Sequence, residues 1–581
     1  MADDRSAAAL SRPFARDLWR LIRIYWTSPE VARGGALLAG AVALELLTVF
    51  GNVQVARTSA YVIDVLAQRD VGAFFGAVGL AAAALLLTLF ASVFRLFVRQ
   101  VLEIRWRKHL TADYLRRWVN PQAYWQGELY GAEMDNPDQR IAEDIRTFVA
   151  SALGLSLSLL SAVVALFSFG GILWTLSRDW PMSIGSIHFH IPGMMMWIAI
   201  VYAVLAMWVT HLVGRKLVPI NYDRLRCEAD FRYGLVRFRD HLEPVALSRG
   251  EAHERQSLSA RFECVVANWW RLIVAQRDLS LLTMGVSQAN GLVPMLAAAP
   301  SYFAGSLSLG AVTQVGFSYG QVSGALTWFV SAYQEIAIWR ASIVRLSAFA
   351  DVMEKTDVTL RSGERVRLVA DGGGALTLEG LALTFPDGRP LLQAVSARVA
   401  PGDQVAVVGP TGSGKTTLIR AIAGLWPFGR GCIELPSTAR VHFLPSRPFL
   451  PDGTLRAVVA YPSDVGSFSD DAIRAALVLC DLGVLVDRLD HSDQWHQRLS
   501  LAEQQRLALA RLLVHEPEFV FLDEATSALD EDMEARAFAM LRARLPKAAL
   551  LTIAHRPSVA SCHTTQWTLT PHAGAGAVLA V

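Results

Sequence analysis

The chain has 581 residues, more than one soluble core usually holds. Its residues are 53% apolar and 18% charged, with a mean hydropathy of +0.33, which excludes an ordinary soluble protein and points to a membrane. The net charge of +2 leaves no electrostatic footprint for nucleic acid, and no nucleic-acid partner is expected.

The chain opens with acidic and small residues, without the apolar core and cleavage site of a signal peptide. From Phe14 to Trp26, arginines and bulky apolar residues alternate at helical spacing. Such a helix lies in the membrane interface with its arginines toward the lipid headgroups. Residues 1–33 are read as this cytoplasmic, interfacial segment.

A bilayer crossing needs roughly 20 apolar residues. Six stretches qualify, at about 34–56, 72–99, 148–176, 193–214, 279–304 and 309–338. The first holds Glu45, whose carboxylate is costly in hydrocarbon and must face the bundle interior or water. It is a candidate solute or proton site, or one half of a buried pair. Gln288, Asn290, Gln314 and Gln321 dilute the last two stretches, either as the wall of a polar cavity or as interhelical hydrogen bonds.

The segments 99–146 and 215–277 are long and rich in Lys and Arg, and the loops between them are short and poor in both. The positive-inside rule puts the long segments and both termini in the cytoplasm. All five cysteines (Cys227, Cys264, Cys432, Cys480 and Cys562) then face a reducing compartment. None is spaced as CxxC, so neither a zinc site nor a disulfide framework is expected.

Residues 34–350 thus form a six-helix membrane domain. Residues 351–375 are more polar, include Asp371-Gly-Gly-Gly374, and read as a linker. From 376 to 581 short apolar strands alternate with helical stretches, as in an α/β domain.

That domain carries Gly409-Pro410-Thr411-Gly412-Ser413-Gly414-Lys415-Thr416, a match to GxxxxGK[ST], between a strand-like run and a helix-like run that starts at Thr417. The glycines let backbone N–H groups wrap phosphates at a helix N-terminus. Lys415 reaches the β- and γ-phosphates, and Thr416 holds Mg²⁺. Farther on, an apolar strand ends in Asp523 and Glu524. Asp523 suits the Mg²⁺ shell, and Glu524 suits a base toward the attacking water. A later strand ends in His555, a candidate γ-phosphate contact. The cofactors expected are ATP and Mg²⁺.

Leu499-Ser500-Leu501-Ala502-Glu503-Gln504-Gln505-Arg506 precedes the acidic strand, and Ser527-Ala-Leu-Asp530 follows it. The order of these motifs resembles that of ABC ATPases. The resemblance implies that Ser500 and Ala502 face the nucleotide held by a second copy, and that Asp530 is also among the cofactor-binding residues. It also implies a homodimer. Phe385, before Pro386-Asp387-Gly388, matches the aromatic that stacks on adenine in the family, or it is a core residue. Ser446 stands where the family has Gln, and Leu501 and Ala502 where it commonly has two glycines. Slow hydrolysis is expected from these departures.

In the membrane domain, Asn136-Pro-Asp-Gln-Arg-Ile-Ala-Glu-Asp144, Thr210-His-Leu-Val-Gly-Arg215, Pro300-Ser-Tyr-Phe-Ala-Gly305 and Thr327-Trp-Phe329 resemble the SbmA/BacA-like membrane domain and the D subfamily of ABC half-transporters. The implied fold is a six-helix, exporter-type ABC membrane domain joined to an α/β P-loop ATPase. The implied function is ATP-driven movement of a solute across a bacterial inner membrane, in contact with lipid, with uptake of peptides or large hydrophilic molecules expected. Acyl-CoA or cobalamin transport, and an ATP-binding sensor or channel with weak hydrolysis, are the alternatives.

Overall fold

A computed structural model describes residues 14–119, 137–178, 180–184, 187–190, 192–359, 365–371, 373–437, 439–554, 556–572 and 576–581. The chain divides into two compact units, one holding residues up to Leu115 and from Asn136 to Ala350, the other Arg116–Asp135 and Asp351–Val581.

In hydrocarbon each backbone N–H and C=O must be satisfied within its own segment, so the long apolar runs of the first unit become helices. An amphipathic helix, α1 (Phe14–Trp26), leads to α2 (Val31–Ala67), α3 (Val71–Trp118), α4 (Ile145–Leu176), α5 (Met194–Gly214), α6 (Leu217–Asp240) and α7 (Glu251–Phe303). Then come α8 (Leu309–Leu326) and α9 (Trp328–Thr359), and a hairpin of β1 (Pro181–Ile184) and β2 (Ile187–His190) joins α4 to α5. Among the described residues, five helices are long and apolar enough to cross a membrane: α2, α3, Pro137–Leu176, α5 and α7. The sixth expected span is α8 continued by α9. Glycines, Gln314 and Gln321 dilute its apolar character, and the helix is interrupted at Thr327, whose hydroxyl turns back to donate to Ser323 O at 2.8 Å.

Polar contacts tie these helices together. Asp64 on α2 receives Gly310 N at 2.8 Å and Ser308 Oγ at 2.9 Å, closing the N-terminus of α8. Asp144, just before α4 and 4% exposed, receives Arg345 Nε at 2.8 Å and Arg140 Nη1 at 3.0 Å. The cysteine expectation is corrected here. Cys227 on α6 and Cys264 on α7 form a disulfide with Cα atoms 6.0 Å apart. The two helices pack along one another, so residues 37 apart in sequence become neighbours that no spacing rule reveals.

The second unit is built on a ten-stranded sheet. Its strands are β3 (Arg367–Asp371), β4 (Leu376–Thr384), β5 (Pro390–Val399), β6 (Gln404–Val408), β7 (Gly429–Pro436), β8 (Val441–Leu444), β9 (Phe519–Asp523), β10 (Ala549–Ile553), β11 (Thr565–His572) and β12 (Gly576–Ala580). They run side by side as β3-β7-β4-β5-β12-β11-β6-β10-β9-β8. The strands β6, β10, β9 and β8 are mutually parallel. Parallel strands covered on both faces read as near-continuous apolar runs, as Phe519–Leu522 does and as Ala549–Ile553 does but for Thr552. One core cluster, with Trp495, Leu507 and Phe538, and another, with Leu418, Phe521 and Trp567, hold the helices to the sheet. The stretch read as a linker differs from that reading. It contains the end of α9 and the strand β3, which joins the sheet edge by pairing with β7, some sixty residues later in the chain.

Candidate functional site

The carboxyl ends of parallel strands share one edge of a sheet, where ligands of open α/β sheets bind. Here β6, β9 and β10 run in register, so Gly409, Asp523 and Ala554 come to the same edge. The loop after β6 needs its glycines. Gly409, Gly412 and Gly414 have φ of +155°, +81° and +96°. A Cβ on Gly409 would lie 2.5 Å from Leu569 O, so only glycine lets the chain pass there. The loop leads into α10 (Lys415–Ile422), whose N-terminal amides face the same edge.

Lys415 Nζ donates to Gly409 O at 2.8 Å and Pro410 O at 3.0 Å, which holds the ammonium inside the loop. Burial pushes the Lys415 ammonium below the usual lysine range, and the carboxylates of Glu524 and Asp523 work against that shift. Ser413 Oγ is buried in the loop and has no hydrogen-bond partner among the described residues, so the cradle holds a donor still open to a phosphate oxygen. Pro410 and Thr411 are exposed on its rim, and Thr417 is half-buried on the first turn of α10.

Thr416 Oγ1 donates to Asp523 Oδ1 at 3.1 Å. Two hard oxygens side by side beside a phosphate cradle fit Mg²⁺, which takes one or two protein oxygens and completes its shell with phosphates and water. The next residue, Glu524, has φ of +53°, a left-handed conformation costly for a side-chain-bearing residue, and one that turns it out of the strand direction. His555 lies outside the described residues.

Ser500 caps α11 (Leu501–His515). Its Oγ accepts from Glu503 N at 3.3 Å, and Ser500 N and Oγ donate to Glu503 Oε2 at 2.9 and 2.8 Å, a complete capping box. Those bonds hold the Glu503 carboxyl below the usual carboxylate range. Ser500 is exposed, and Ala502 packs partly against the core. Asp530 caps α12 (Glu531–Arg544) by accepting from Met533 N at 2.7 Å. Phe385 lies on the β4–β5 turn and is 36% exposed under the Arg389 guanidinium, 5.2 Å from its ring centre, so it is not a core residue. Leu391, on the same hairpin, packs near Gly414, which brings that hairpin beside the loop.

Two residues escaped the sequence reading. Gln505, 1% exposed, donates to Ser446 O at 2.8 Å and Ser527 Oγ at 3.2 Å and accepts from Ala528 N at 2.9 Å. Arg556 donates to Leu529 O at 2.8 Å and Ser527 O at 3.3 Å. Both brace the Ser527–Asp530 loop. The S-x-x-E pattern signals the cap at Ser500, but nothing local signals Gln505, because its partners lie 22 to 59 residues away.

In the membrane unit, Glu45 is 1% exposed and both its oxygens receive Arg95 Nη1 at 2.7 Å. Glu45 is thus ion-paired, with a partner whose side chain is 35% exposed. Asn290 accepts from Ser323 Oγ at 3.2 Å, an interhelical bond between α7 and α8.

Two family models match: ABC transporter transmembrane region 2 over residues 21–303 and ABC transporter over 392–527. An ABC transporter ATP-binding protein of Synechocystis is 37% identical over 80% of this chain and 70% of its own length. The inner membrane ABC transporter ATP-binding protein YddA of Escherichia coli is 32% identical, over 81% of this chain and 82% of its own. The human lysosomal cobalamin transporter ABCD4 is 28% identical over 90% and 89%. A bacterial Atm1-family ABC exporter with ATP bound superposes with a TM-score of 0.70 at 19% identity, over 94% of this chain and 95% of its own, which shows the same fold. The chain belongs to the ABC transporters: it is a membrane-spanning protein of D-subfamily type that joins a helical membrane domain to an ATPase and couples ATP hydrolysis to transport.

Proposed function

We propose that two copies assemble with their ATPase units head to tail, bind two ATP–Mg²⁺ between them, and import a peptide or large hydrophilic solute across a bacterial inner membrane, with both termini cytoplasmic. The observation that carries the ATP chemistry is the Thr416–Asp523 pair, set at one sheet edge beside the Gly409–Lys415 cradle and Glu524. Loop amides and Lys415 bind and orient the phosphates. Thr416 and Asp523 hold Mg²⁺, which supplies charge neutralisation on the transferring phosphoryl group. Glu524 accepts the proton of the attacking water. The exposed cap of α11 presents Ser500 to the nucleotide on the second copy.

The likeness to an inner membrane protein of Escherichia coli supports the location. The resemblance of the membrane-domain motifs to SbmA/BacA-like proteins supports peptide uptake. Cobalamin is the second reading, favoured by human and mouse relatives that are named cobalamin transporters and match over 89% and 93% of their length. The test is uptake of a labelled proline-rich peptide, and separately of cobalamin, by cells making the wild type or Glu524→Gln at equal membrane levels. Uptake of peptide with the wild type alone supports the proposal. Equal peptide uptake by both refutes it, and wild-type-only uptake of cobalamin selects the second reading.

A further inference from the structure

The membrane unit holds a cluster of two guanidiniums and one buried carboxylate, with a second, exposed carboxylate at its edge. A cavity of about 170 Å³ opens between α2, α3 and α4 and is lined by Glu45, Arg95, Arg99, Gly154, Ser158 and two leucines. Arg95 and Glu45 neutralise each other, and the Arg95 bonds to described residues use only Nη1. Its Nη2 and Nε therefore stay available. Arg99 makes no ion pair with any described residue, and its Nε is shut off from solvent without an acceptor. A charged donor in that condition is costly unless an acceptor reaches it.

Gly154 makes the room. A Cβ there would lie 3.6 Å from Arg99 Nη2 and 3.3 Å from Glu335 Oε1. Glu335, on α9, is exposed and is the fourth charge at this gap. It brings the formal charge of the gap to zero, but water screens it, so the buried side of the gap keeps one unpaired guanidinium and disfavours a dianion. Ser158 Oγ already accepts from Trp328 Nε1 at 3.1 Å, which fixes the opposite wall.

We propose that this cavity binds a singly charged oxyanion, with Arg99 as its main partner and the free nitrogens of Arg95 as the second. Guanidinium forks match the two oxygens of a carboxylate or phosphodiester, and the Glu45–Arg95 pair holds the second fork in place. Water takes about 30 Å³ per molecule, so the cavity admits an end group and a few waters, not a whole peptide or cobalamin. The occupant is therefore the carboxylate end of a solute or the phosphodiester of an anionic lipid, one with no headgroup cation of its own. The inference rests on the transport reading only for the solute as source.

The test is the melting temperature of the full-length protein in phosphatidylcholine nanodiscs without ATP, titrated with benzoate and with uncharged benzamide. A ligand that binds only the native state raises the midpoint according to its dissociation constant. Benzoate should bind the wild type at least about tenfold more tightly than Arg99→Gln, with Arg99→Lys between them and benzamide indifferent to all three. Gly154→Val, which leaves the charges and fills the gap, should also lose the benzoate response. If phosphatidylglycerol nanodiscs raise the wild-type midpoint, remove the benzoate increment, and do neither with Arg99→Gln, the oxyanion site stands and its occupant is lipid. Benzoate and phosphatidylglycerol responses that are the same in the wild type, Arg99→Gln and Gly154→Val overturn the proposal. Because no ATP is present, failure here is separate from failure of Glu524→Gln to abolish uptake.

Discussion

Gln505 Nε2 donates to the carbonyl oxygen of Ser446 at 2.8 Å, across 59 residues of sequence. The same side chain receives Ala528 N at 2.9 Å, so one buried amide joins the start of α11, the segment after β8 and the loop after Glu524. The bond reaches the main chain of Ser446 and does not depend on its short side chain. Gln505→Ala leaves two half-buried backbone groups without that partner, at about 1 kcal/mol each, the lower end for a group that water can partly reach. ATPase turnover should fall by about tenfold or more, since 1.4 kcal/mol is one decade. Ser446→Ala should spare turnover. Steady-state phosphate release for both variants checks this, and equal losses would remove the role given to Gln505.

The Thr416–Asp523 pair and Glu524 divide nucleotide binding from hydrolysis. Glu524→Gln should keep ATP binding and lose at least about 100-fold in turnover, the contribution of a positioned base. Lys415→Ala should lose binding itself. Fluorescent-nucleotide titration and phosphate release, measured side by side, separate the two. Wild-type turnover no higher than that of Glu524→Gln would show that the departures at Ser446 and Ala502 have silenced the site.

The Asp144 side chain is 5% exposed and paired with two guanidiniums. Asp144→Ala leaves Arg140 facing a buried gap. The cost should be about 3 kcal/mol, the lower end for breaking a buried pair, because the Arg345 side chain is 40% exposed. Thermal unfolding in nanodiscs should show a midpoint lowered by several degrees. No change would mean that water replaces the carboxylate.

His442 lies 4.6 Å from the His515 ring, and burial pushes its imidazole down to about 4, with His515 and Arg511 adding to the shift. The unfolded chain takes up this proton near pH 6.5 and the folded one only near 4. Stability is therefore full above about pH 6.5, falls as pH drops between these values by roughly 3 kcal/mol, and levels off below. His442→Phe should flatten that slope. Unfolding midpoints at pH 7, 6 and 5 test it, and parallel profiles for the wild type and variant would contradict it.

The motifs of the ATP site were legible because phosphate chemistry needs particular residues at short, fixed spacing. Gly409 to Thr416 is one loop, and Asp523 and Glu524 are adjacent. Five apolar helices were legible because a bilayer sets a length and a composition. The strand β3 was not, since five residues beside a glycine run join a sheet only when β7 arrives to pair with them.

Sequence alone therefore determined the two-part plan, the phosphate cradle and the acidic strand, each being a local pattern with a local cause. The tertiary structure decided which distant groups meet: Glu45 with Arg95, Asp144 with Arg345, Cys227 with Cys264, and Gln505 with Ser446. These partners stand 37 to 201 residues apart, and only helix packing and sheet order set their distances. The same packing left Arg99 Nε buried beside a cavity with no acceptor among the described residues, which no spacing in the sequence records.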